Sequence, residues 1–295
     1  MSLLSDLSAG TPLLEYSQAA SQWSINPVGP FLAPLVPTPT AVGRYKQWTR
    51  LDRFKIPRTE RAVGGEAVDL GIIGVDATFN CQPHGTNVPL DRSVGEPDLK
   101  VLRADANSYS RDVAQLKHAQ LAINAALAAA GAGTAKVWSG AQDPQPDIDT
   151  AILSVMKLSK SPVVGVLFGA GAWQIFNANS NVRSRSPGGF TYALQPALFA
   201  GQSEYRTSYY MVDTTPDGVA ESIGFLLDAT VLIFARSNNP SRVDPSALKT
   251  FVVVSDKMVQ SEAPSRDGRR LLVKNDWCHD VKVTNAAGII RLNIS

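Results

Sequence analysis

The run Cys278-His279-Asp280 contains the side-chain types of a thiol triad and is the first candidate for chemistry in this sequence. A thiol nucleophile needs a base within hydrogen-bond reach. The flanking residues predict a β-strand, and consecutive strand residues face opposite sides of a sheet, so Cys278 and His279 are not expected to meet. We interpret the run as an ordinary strand edge with one buried thiol.

The turn Gly169-Ala170-Gly171 is the second candidate, because it follows a predicted strand and opens a predicted helix. Glycine-rich turns at helix N-termini bind phosphate groups through their backbone amides. The dinucleotide-binding fingerprint, however, has a third glycine where this sequence has Gln174, and no Gly-Lys-Ser/Thr run is present. We interpret the segment as a tight turn between strand and helix and predict no cofactor there.

Metal binding is the third chemistry that the residue types could support. Cys81 and His84 are close in sequence, but metal sites use three or four convergent ligands, and the chain has three histidines in all. His118 falls within a predicted long helix, and we place it on the solvated side of that helix. The sequence therefore predicts no catalytic, cofactor-binding or metal-binding residues, and we expect that the protein is not an enzyme.

The charge balance argues against tight binding of nucleic acid. The 295 residues include 28 Lys and Arg against 26 Asp and Glu, whereas proteins that grip phosphates show a clear basic excess. Charged residues make up 18% of the chain, below the usual quarter or so, which leaves a surface suited to subunit contacts. Two distant cysteines, Cys81 and Cys278, favour a reducing cytoplasmic origin. No apolar stretch approaches the ~20 residues that span a membrane.

Residues 1–42 form a predicted N-terminal arm that is rich in Ser, Ala and Pro. Prolines at this density are incompatible with helix interiors and central strands, so an extended arm is expected. Trp23, Phe31 and Leu32 are too apolar for a solvated tail, and we predict that they make contacts with a partner surface. Two alternatives remain open for that surface: the body of the same chain and a neighbouring subunit.

A two-stranded ribbon is predicted next, with strands over 45–56 and 68–79 and a charged tip over 58–67 that contains Gly64-Gly65. A lone ribbon of two strands is only marginally stable in water, so it must lie on another surface. We predict that charged residues of its tip pair with opposite charges on an adjacent subunit. These residues are Arg58, Glu60, Arg61 and Glu66.

The rest of the chain mixes helices and strands, which makes the fold class α+β. Apolar residues at helical spacing predict a helix over 98–130, about 50 Å long at 1.5 Å per residue. A second helix is predicted to begin at a cap at Asp149 or Thr150 and to continue to Lys160. The further predicted elements are a strand over 163–168, a helix that contains Trp173 and Phe176, and strands over 229–235, 251–254, 271–274 and 281–283.

Three stretches carry a resemblance to a known family. They run from Tyr45-Lys46-Gln47-Trp48 to Phe54-Lys55-Ile56-Pro57-Arg58-Thr59-Glu60-Arg61-Ala62, then through Val88-Pro89-Leu90-Asp91, and finally through the Ala-Gly-Ile-Ile stretch near the end. Together with the order of the elements, they make residues 43–294 resemble the Hong Kong 97-type major capsid proteins of tailed bacteriophages.

This resemblance implies the Hong Kong 97-type capsid fold, with an N-terminal arm, an extended β-hairpin loop, a peripheral domain built on a spine helix, and an axial domain. The implied boundaries are 1–42 for the arm, 43–97 for the extended loop, 98–145 for the peripheral domain with its spine helix, 146–239 for the axial domain and 240–295 for the C-terminal strands of the peripheral domain.

The resemblance also implies a function. Members of the family assemble as hexamers and pentamers into an icosahedral shell that encloses double-stranded DNA without sequence-specific binding. The implied partners are other copies of the chain, a portal, and scaffolding or decoration proteins, with no membrane involved. The implied location is the virion capsid, assembled in the host cytoplasm.

Three other readings of the sequence stay open. An encapsulin-like cellular compartment has the same architecture but packages enzymes. A soluble α+β hydrolase could use carboxylates that a sequence does not reveal, and it would be a small oligomer. A tail or decoration protein of a phage would form rings or trimers but no closed shell.

Overall fold

A computed structural model of the chain describes residues 28–47, 59–61, 66, 75–93, 95–140, 142–184, 203–213, 223–253, 259–265 and 268–295. Its helices are α1 (Val28–Leu32), α2 (Glu96–Ala130), α3 (Gln145–Ser159), α4 (Ala170–Ala178) and α5 (Ser180–Ser184). Its strands are β1 (Leu35–Thr38), β2 (Val42–Gln47), β3 (Val75–Asn80), β4 (Gln82–Asp91), β5 (Thr134–Lys136), β6 (Val164–Gly169), β7 (Ser203–Ser208), β8 (Met211–Asp213), β9 (Ile223–Phe225), β10 (Thr230–Ala235), β11 (Leu248–Val253), β12 (Val259–Pro264), β13 (Arg270–Val283) and β14 (Ile289–Ile294). The chain divides into two compact units, unit 1 with 1–43, 79–124 and 250–281, and unit 2 with 44–78, 125–249 and 282–295.

A five-stranded sheet is the centre of unit 1. Its strands lie in the order β1-β11-β13-β12, and β4 pairs antiparallel with β13 along its whole length. The separate strands predicted over 271–274 and 281–283 are parts of one strand, β13, so that prediction was wrong. The strand continues through the polar segment between them because alternate residues there, Asn275 and His279, are buried.

The long helix α2 begins at Glu96, two residues before the predicted start, and ends at Ala130 as predicted. Its 35 residues make it about 52 Å long. Within unit 1, its residues Leu99 and Ala106, two turns apart on one face, pack against apolar residues of β4 and β13. The members of this buried cluster are Leu90, Leu99, Ala106, Leu271 and Val273.

The segment 28–42 is not extended throughout, because it contains a short helix that the sequence analysis did not predict. Residues 28–32 form the short helix α1, which tolerates Pro30 because first-turn amides have no partner within a helix. Residues 35–38 form β1, which pairs parallel with β11 at the edge of the sheet. Pro37 is compatible with an edge strand, where one side of the backbone needs no partner.

A second five-stranded sheet, in the order β5-β14-β10-β6-β7, is the centre of unit 2. Its middle strands are almost entirely buried, β10 from Val231 to Ala235 and β6 from Val164 to Gly169. Such continuous apolar runs are typical of strands that are covered on both faces. The strands predicted over 163–168 and 229–235 are confirmed to within one residue.

The helix α3 begins at Gln145, earlier than the predicted cap at Asp149 or Thr150. The side chain of Asp143 accepts a hydrogen bond from the backbone N–H of Gln145 at 3.1 Å and thereby supplies the missing partner at the helix start. Thr150 lies inside the helix, where its hydroxyl donates to the carbonyl oxygen of Pro146. The helix ends at Ser159, because the next residue, Lys160, has a left-handed φ of 58° that stops the helical path.

Strands β2 and β3 form a sheet of two strands at the place where the ribbon was predicted to start and end. Lys46 and Asp76 form an ion pair across it at 2.8 Å, and the hydrogen bond and charge of Lys46 lower the pKa of Asp76. Most of the predicted ribbon between these strands lies outside the described residues.

Candidate assembly surfaces

The predicted contact residues at the ribbon tip are exposed where the structure describes them. Glu60, Arg61 and Glu66 are all exposed, and Arg58 lies outside the described residues. Pairing of these residues with an adjacent subunit stays a prediction.

The predicted arm contacts Phe31 and Leu32 lie in α1, and both side chains are fully buried in the single chain. Of the two alternatives left open for the arm, these two residues pack on the body of their own chain. Trp23 lies outside the described residues.

An exposed apolar surface that the sequence analysis did not identify lies on the paired strands β8 and β9. Met211 stands directly opposite Phe225, and Ile223 follows on the same face by the alternation of strand residues. The side chains are 50%, 45% and 69% exposed respectively, and Tyr209, just before β8, is also exposed. We call Tyr209, Met211, Ile223 and Phe225 the apolar hairpin surface.

The signal for this surface is present in the sequence. Four consecutive residues, Tyr209 to Val212, are apolar or aromatic, whereas a strand with one solvated face alternates apolar with polar residues. Tyr210 accordingly is buried on the inner side while Tyr209 and Met211 are exposed. When both faces of a strand are apolar and the chain covers only one of them, the exposed face is suited to contact with a partner.

A second exposed apolar group lies on α2 in unit 1. Val101 and Tyr109 are each 64% exposed, and Leu102, seven residues before Tyr109, is partly exposed. Residues seven apart lie on one side of a helix, so these side chains form a stripe. A helix that is apolar on more than one face is typical of helices that pack on more than one neighbour.

The edge strand β7 of unit 2 carries a charged group instead. The carboxylate of Glu204 accepts hydrogen bonds from Arg206, at 2.8 Å from Nε, and forms an ion pair with Arg236. Burial raises the pKa of Glu204, but the hydrogen bonds and charges of the two guanidinium groups outweigh this effect, and the pKa lies below its usual value. Charges on an edge strand oppose pairing with a foreign strand.

The glycine turn considered for phosphate binding is filled by the chain's own Asp228. The backbone N–H of Gly171 donates to the Asp228 carboxylate at 2.9 Å, and that of Ala172 donates to the Asp228 carbonyl at 3.1 Å. A Cβ atom at Gly169 would overlap the same carbonyl oxygen, which explains the glycine. The segment is a tight turn between β6 and α4, as interpreted from the sequence.

The cysteines and histidines do not combine as a thiol triad would. Cys278 and His279 are consecutive residues of β13, paired with Pro83 and Gln82 of β4. The prediction that His118 lies on a solvated side was wrong, because its Nε2 atom lies 2.7 Å from the hydroxyl oxygen of Thr250. Over the ranges that the structure describes, no group of three or more His, Cys, Asp or Glu residues is placed to hold a metal ion.

Comparison with known proteins gives matches among solved structures only. No protein-family model matches the chain, and no curated protein sequence matches it. The fold is similar to that of a phage-related protein from Bordetella bronchiseptica RB50, with a TM-score of 0.72, 17% sequence identity and 96% of each chain covered.

Two further structures have the same fold along most of their length. The capsid of cyanophage P-SCSP1u has a TM-score of 0.55 at 12% identity, covering 90% of this chain and 86% of that chain. The holo-SrpI encapsulin complex from Synechococcus elongatus PCC 7942 has a TM-score of 0.54 at 10% identity, covering 88% and 84%.

These similarities confirm the predicted fold, an α+β fold of the Hong Kong 97 capsid type. Among the described helices, none combines the length and the apolar character that a bilayer crossing requires.

Proposed function

We propose that this chain, which has the Hong Kong 97-type capsid fold, is the major capsid subunit of a tailed bacteriophage. Its copies assemble as hexamers and pentamers into an icosahedral shell that encloses the double-stranded DNA genome. The observation that carries the proposal is the likeness, over about nine tenths of both chains, to a cyanophage capsid. We further propose the domains that the resemblance implies, with residues 146–239 as the axial domain and residues 98–145 and 240–295 as the peripheral domain.

The exposed apolar groups support this proposal because a closed shell needs contacts that repeat around rings. Such contacts are heterologous: one patch of a subunit meets a different patch of the next subunit. The apolar hairpin surface lies in unit 2 and the stripe of Val101, Leu102 and Tyr109 lies in unit 1, so each unit has an apolar surface to offer. Apolar residues that lie together and exposed mark sites of association.

The near-zero net charge of the chain supports a protein that encloses DNA without binding it tightly. A formal net charge of +2 over 295 residues gives little counterion release on contact with phosphates. Packaged DNA can then be compacted and released without breaking many ion pairs. We further propose a portal and scaffolding or decoration proteins as partners, assembly in the host cytoplasm, and a final location in the virion capsid.

An encapsulin-like compartment is the second candidate, because the encapsulin complex from Synechococcus elongatus has the same fold. The contents of the particles separate the two candidates. A phage capsid isolated from infected or induced cells holds nuclease-resistant DNA, whereas an encapsulin-like shell holds protein cargo.

The proposal is tested by size-exclusion chromatography of the purified full-length chain, followed by negative-stain microscopy. We expect material in the void volume that consists of closed shells of uniform diameter. A small oligomer under all conditions of salt and concentration would support the hydrolase reading and would refute the proposal. Rings or trimers without closed shells would support the tail or decoration reading.

A further inference from the structure

The three histidines of the chain meet in unit 1, although they are far apart in sequence. The rings of His84 and His279 stack with their centroids 4.6 Å apart, and His118 meets His279 edge-on at 5.4 Å. Trp277 stacks on His84 at 5.9 Å. Since histidine is the side chain that titrates near neutral pH, a cluster of all three is a place where a modest change of pH can act.

His118 also holds the short helix α1. The hydroxyl of Thr250 donates a hydrogen bond to the carbonyl oxygen of Ala33, directly after α1, at 3.0 Å. A hydroxyl has one hydrogen to donate, so the contact of 2.7 Å between Thr250 and Nε2 of His118 requires that His118 donates. The neutral ring therefore carries its hydrogen on Nε2 and a lone pair on Nδ1.

The Nδ1 side of His118 faces α1 itself. A Cβ atom at Gly29 would lie 2.6 Å from Nδ1, so the backbone of α1 approaches the ring closely and only glycine fits there. A proton added to Nδ1 would lie against this backbone. The Nε2 atom of His279 is itself buried and has no hydrogen-bond partner among the described residues.

The surrounding charges disfavour protonation as well. Burial, with a smaller contribution from His279, lowers the pKa of His118 to about 3. Burial and the charge of His84 lower the pKa of His279 to about 4, against a partial opposing effect of Asp280. Burial and the charge of Lys117 lower the pKa of His84. The α1 helix has no titratable side chain, and Lys249, the neighbour of Thr250 on β11, is held by Asp244.

We propose that His118, together with His84 and His279, forms an acid-sensitive latch that holds α1 on unit 1 at neutral pH and releases it on acidification. The latch is a property of the single chain and does not depend on the proposed shell function. In the closed form the imidazoles stay neutral. Opening lets them return to their ordinary pKa of 6.5 and take up protons.

The size of the effect follows from proton linkage. A base whose pKa is lowered in the closed form stabilises that form above its ordinary pKa, and the stabilisation is lost as the pH falls below 6.5. At pH 5 a shift of the His118 pKa from 6.5 to about 3 lowers the ratio of closed to open forms about thirtyfold. Release of His279 at the same step would lower the ratio further.

Hydrogen exchange of the purified full-length chain at pH 7.5 and pH 5, corrected for intrinsic exchange rates, tests the latch. We expect that the protection of residues 29–33, measured at the Ala33 amide that donates to the carbonyl oxygen of Gly29 at 2.8 Å, falls about thirtyfold at pH 5. The amides of β10 in unit 2, a unit without histidine, serve as an internal reference and should keep their protection. Equal protection of residues 29–33 at both pH values, or an equal loss in β10, would overturn the proposal.

Two variants separate the latch from a general effect of acid. The change His118→Gln keeps an N–H donor for Thr250 but cannot titrate, so most of the pH response of residues 29–33 should disappear. The change Thr250→Val removes the link to Ala33 and should lower their protection already at pH 7.5. An undiminished pH response in His118→Gln would refute the role of this residue.

The wild-type chain gives an answer even where His118→Gln does not fold. The imidazole signals of the three histidines can be followed by NMR during an acid titration. The latch predicts that one imidazole remains neutral until the amides of residues 29–33 lose protection. Titration of all three near pH 6.5, with α1 still protected, would contradict it.

Discussion

Replacement of Ile223 by aspartate tests whether the apolar hairpin surface is an assembly contact. Ile223 is the most exposed member of that surface, at 69%, and stands on β9 beside the directly paired Met211 and Phe225. Aspartate at this position stands directly opposite Asp213, and like charges on paired strand residues are destabilising, so the free energy of unfolding should fall by about 1 kcal/mol while the single chain stays folded.

The expected effect on assembly follows from the exposed area. Full burial of an isoleucine side chain contributes about 1.5–3 kcal/mol, so covering the exposed 69% of Ile223 contributes about 1–2 kcal/mol at each contact. Aspartate would lose this contribution and would place an unpaired charge in the contact, at a cost of roughly several kcal/mol. A total loss of about 3 kcal/mol or more raises the concentration required for assembly more than about a hundredfold.

Light scattering against protein concentration measures this threshold, with Ile223→Val as the matched control. The valine variant keeps most of the apolar surface and should assemble close to the wild-type concentration. Circular dichroism of both variants checks the fold of the subunit. An aspartate variant that forms normal shells at the wild-type concentration would show that the apolar hairpin surface is not a contact.

Three further changes test the ribbon tip, the glycine turn after β6 and a buried ion pair. The change Arg61→Glu at the ribbon tip should block assembly while the subunit stays folded, as measured by gel filtration and circular dichroism; normal shells would refute the predicted pairing. The change Gly169→Ala places a Cβ atom against the Asp228 carbonyl and should lower the free energy of unfolding by about 1–3 kcal/mol in urea titration, whereas an unchanged midpoint would contradict the tight turn. The change Lys249→Met removes the ion-pair partner of Asp244, whose carboxylate keeps hydrogen bonds from the backbone N–H groups of Ser241 and Ser246, and should lower the free energy of unfolding by about 1–3 kcal/mol in thermal or urea unfolding; a neutral result would show that the ion pair does not stabilise the fold.

Elements with a strong local pattern were predictable from the sequence. The helix α2 and the buried strands β6 and β10 were placed to within two residues, because a long amphipathic period and a continuous apolar run are each sufficient evidence. The α+β class and the capsid fold followed from the order of these elements and from the resemblance of a few stretches.

Features that depend on distant partners were not predictable. The segment 28–38 became a helix and an edge strand because β11, more than two hundred residues away, supplies its hydrogen bonds. The single strand β13 continues through polar residues because β4 pairs with it from Arg270 to His279. The position of His118 depends on Thr250, which no local pattern around the histidine reveals.

Some residues of the candidate assembly surfaces were likewise predictable from the sequence, and others were not. Charged residues at the ribbon tip could be named from the sequence because a glycine-containing turn exposes its neighbours. The burial of Phe31 and Leu32 in their own chain and the exposure of Ile223 are properties of the folded chain, and both required the structure. Hydrophobicity alone gives no indication of whether a residue is covered by its own chain or by a neighbour.

Cryo-electron microscopy of particles formed by the purified full-length chain tests most directly whether copies of this chain build a shell. We predict closed icosahedral particles in which subunits cluster around fivefold and sixfold positions, with residues 146–239 at the centre of each cluster. Sedimentation as a monomer or a small oligomer at every salt and protein concentration, with no closed particle in the images, would contradict the proposed function.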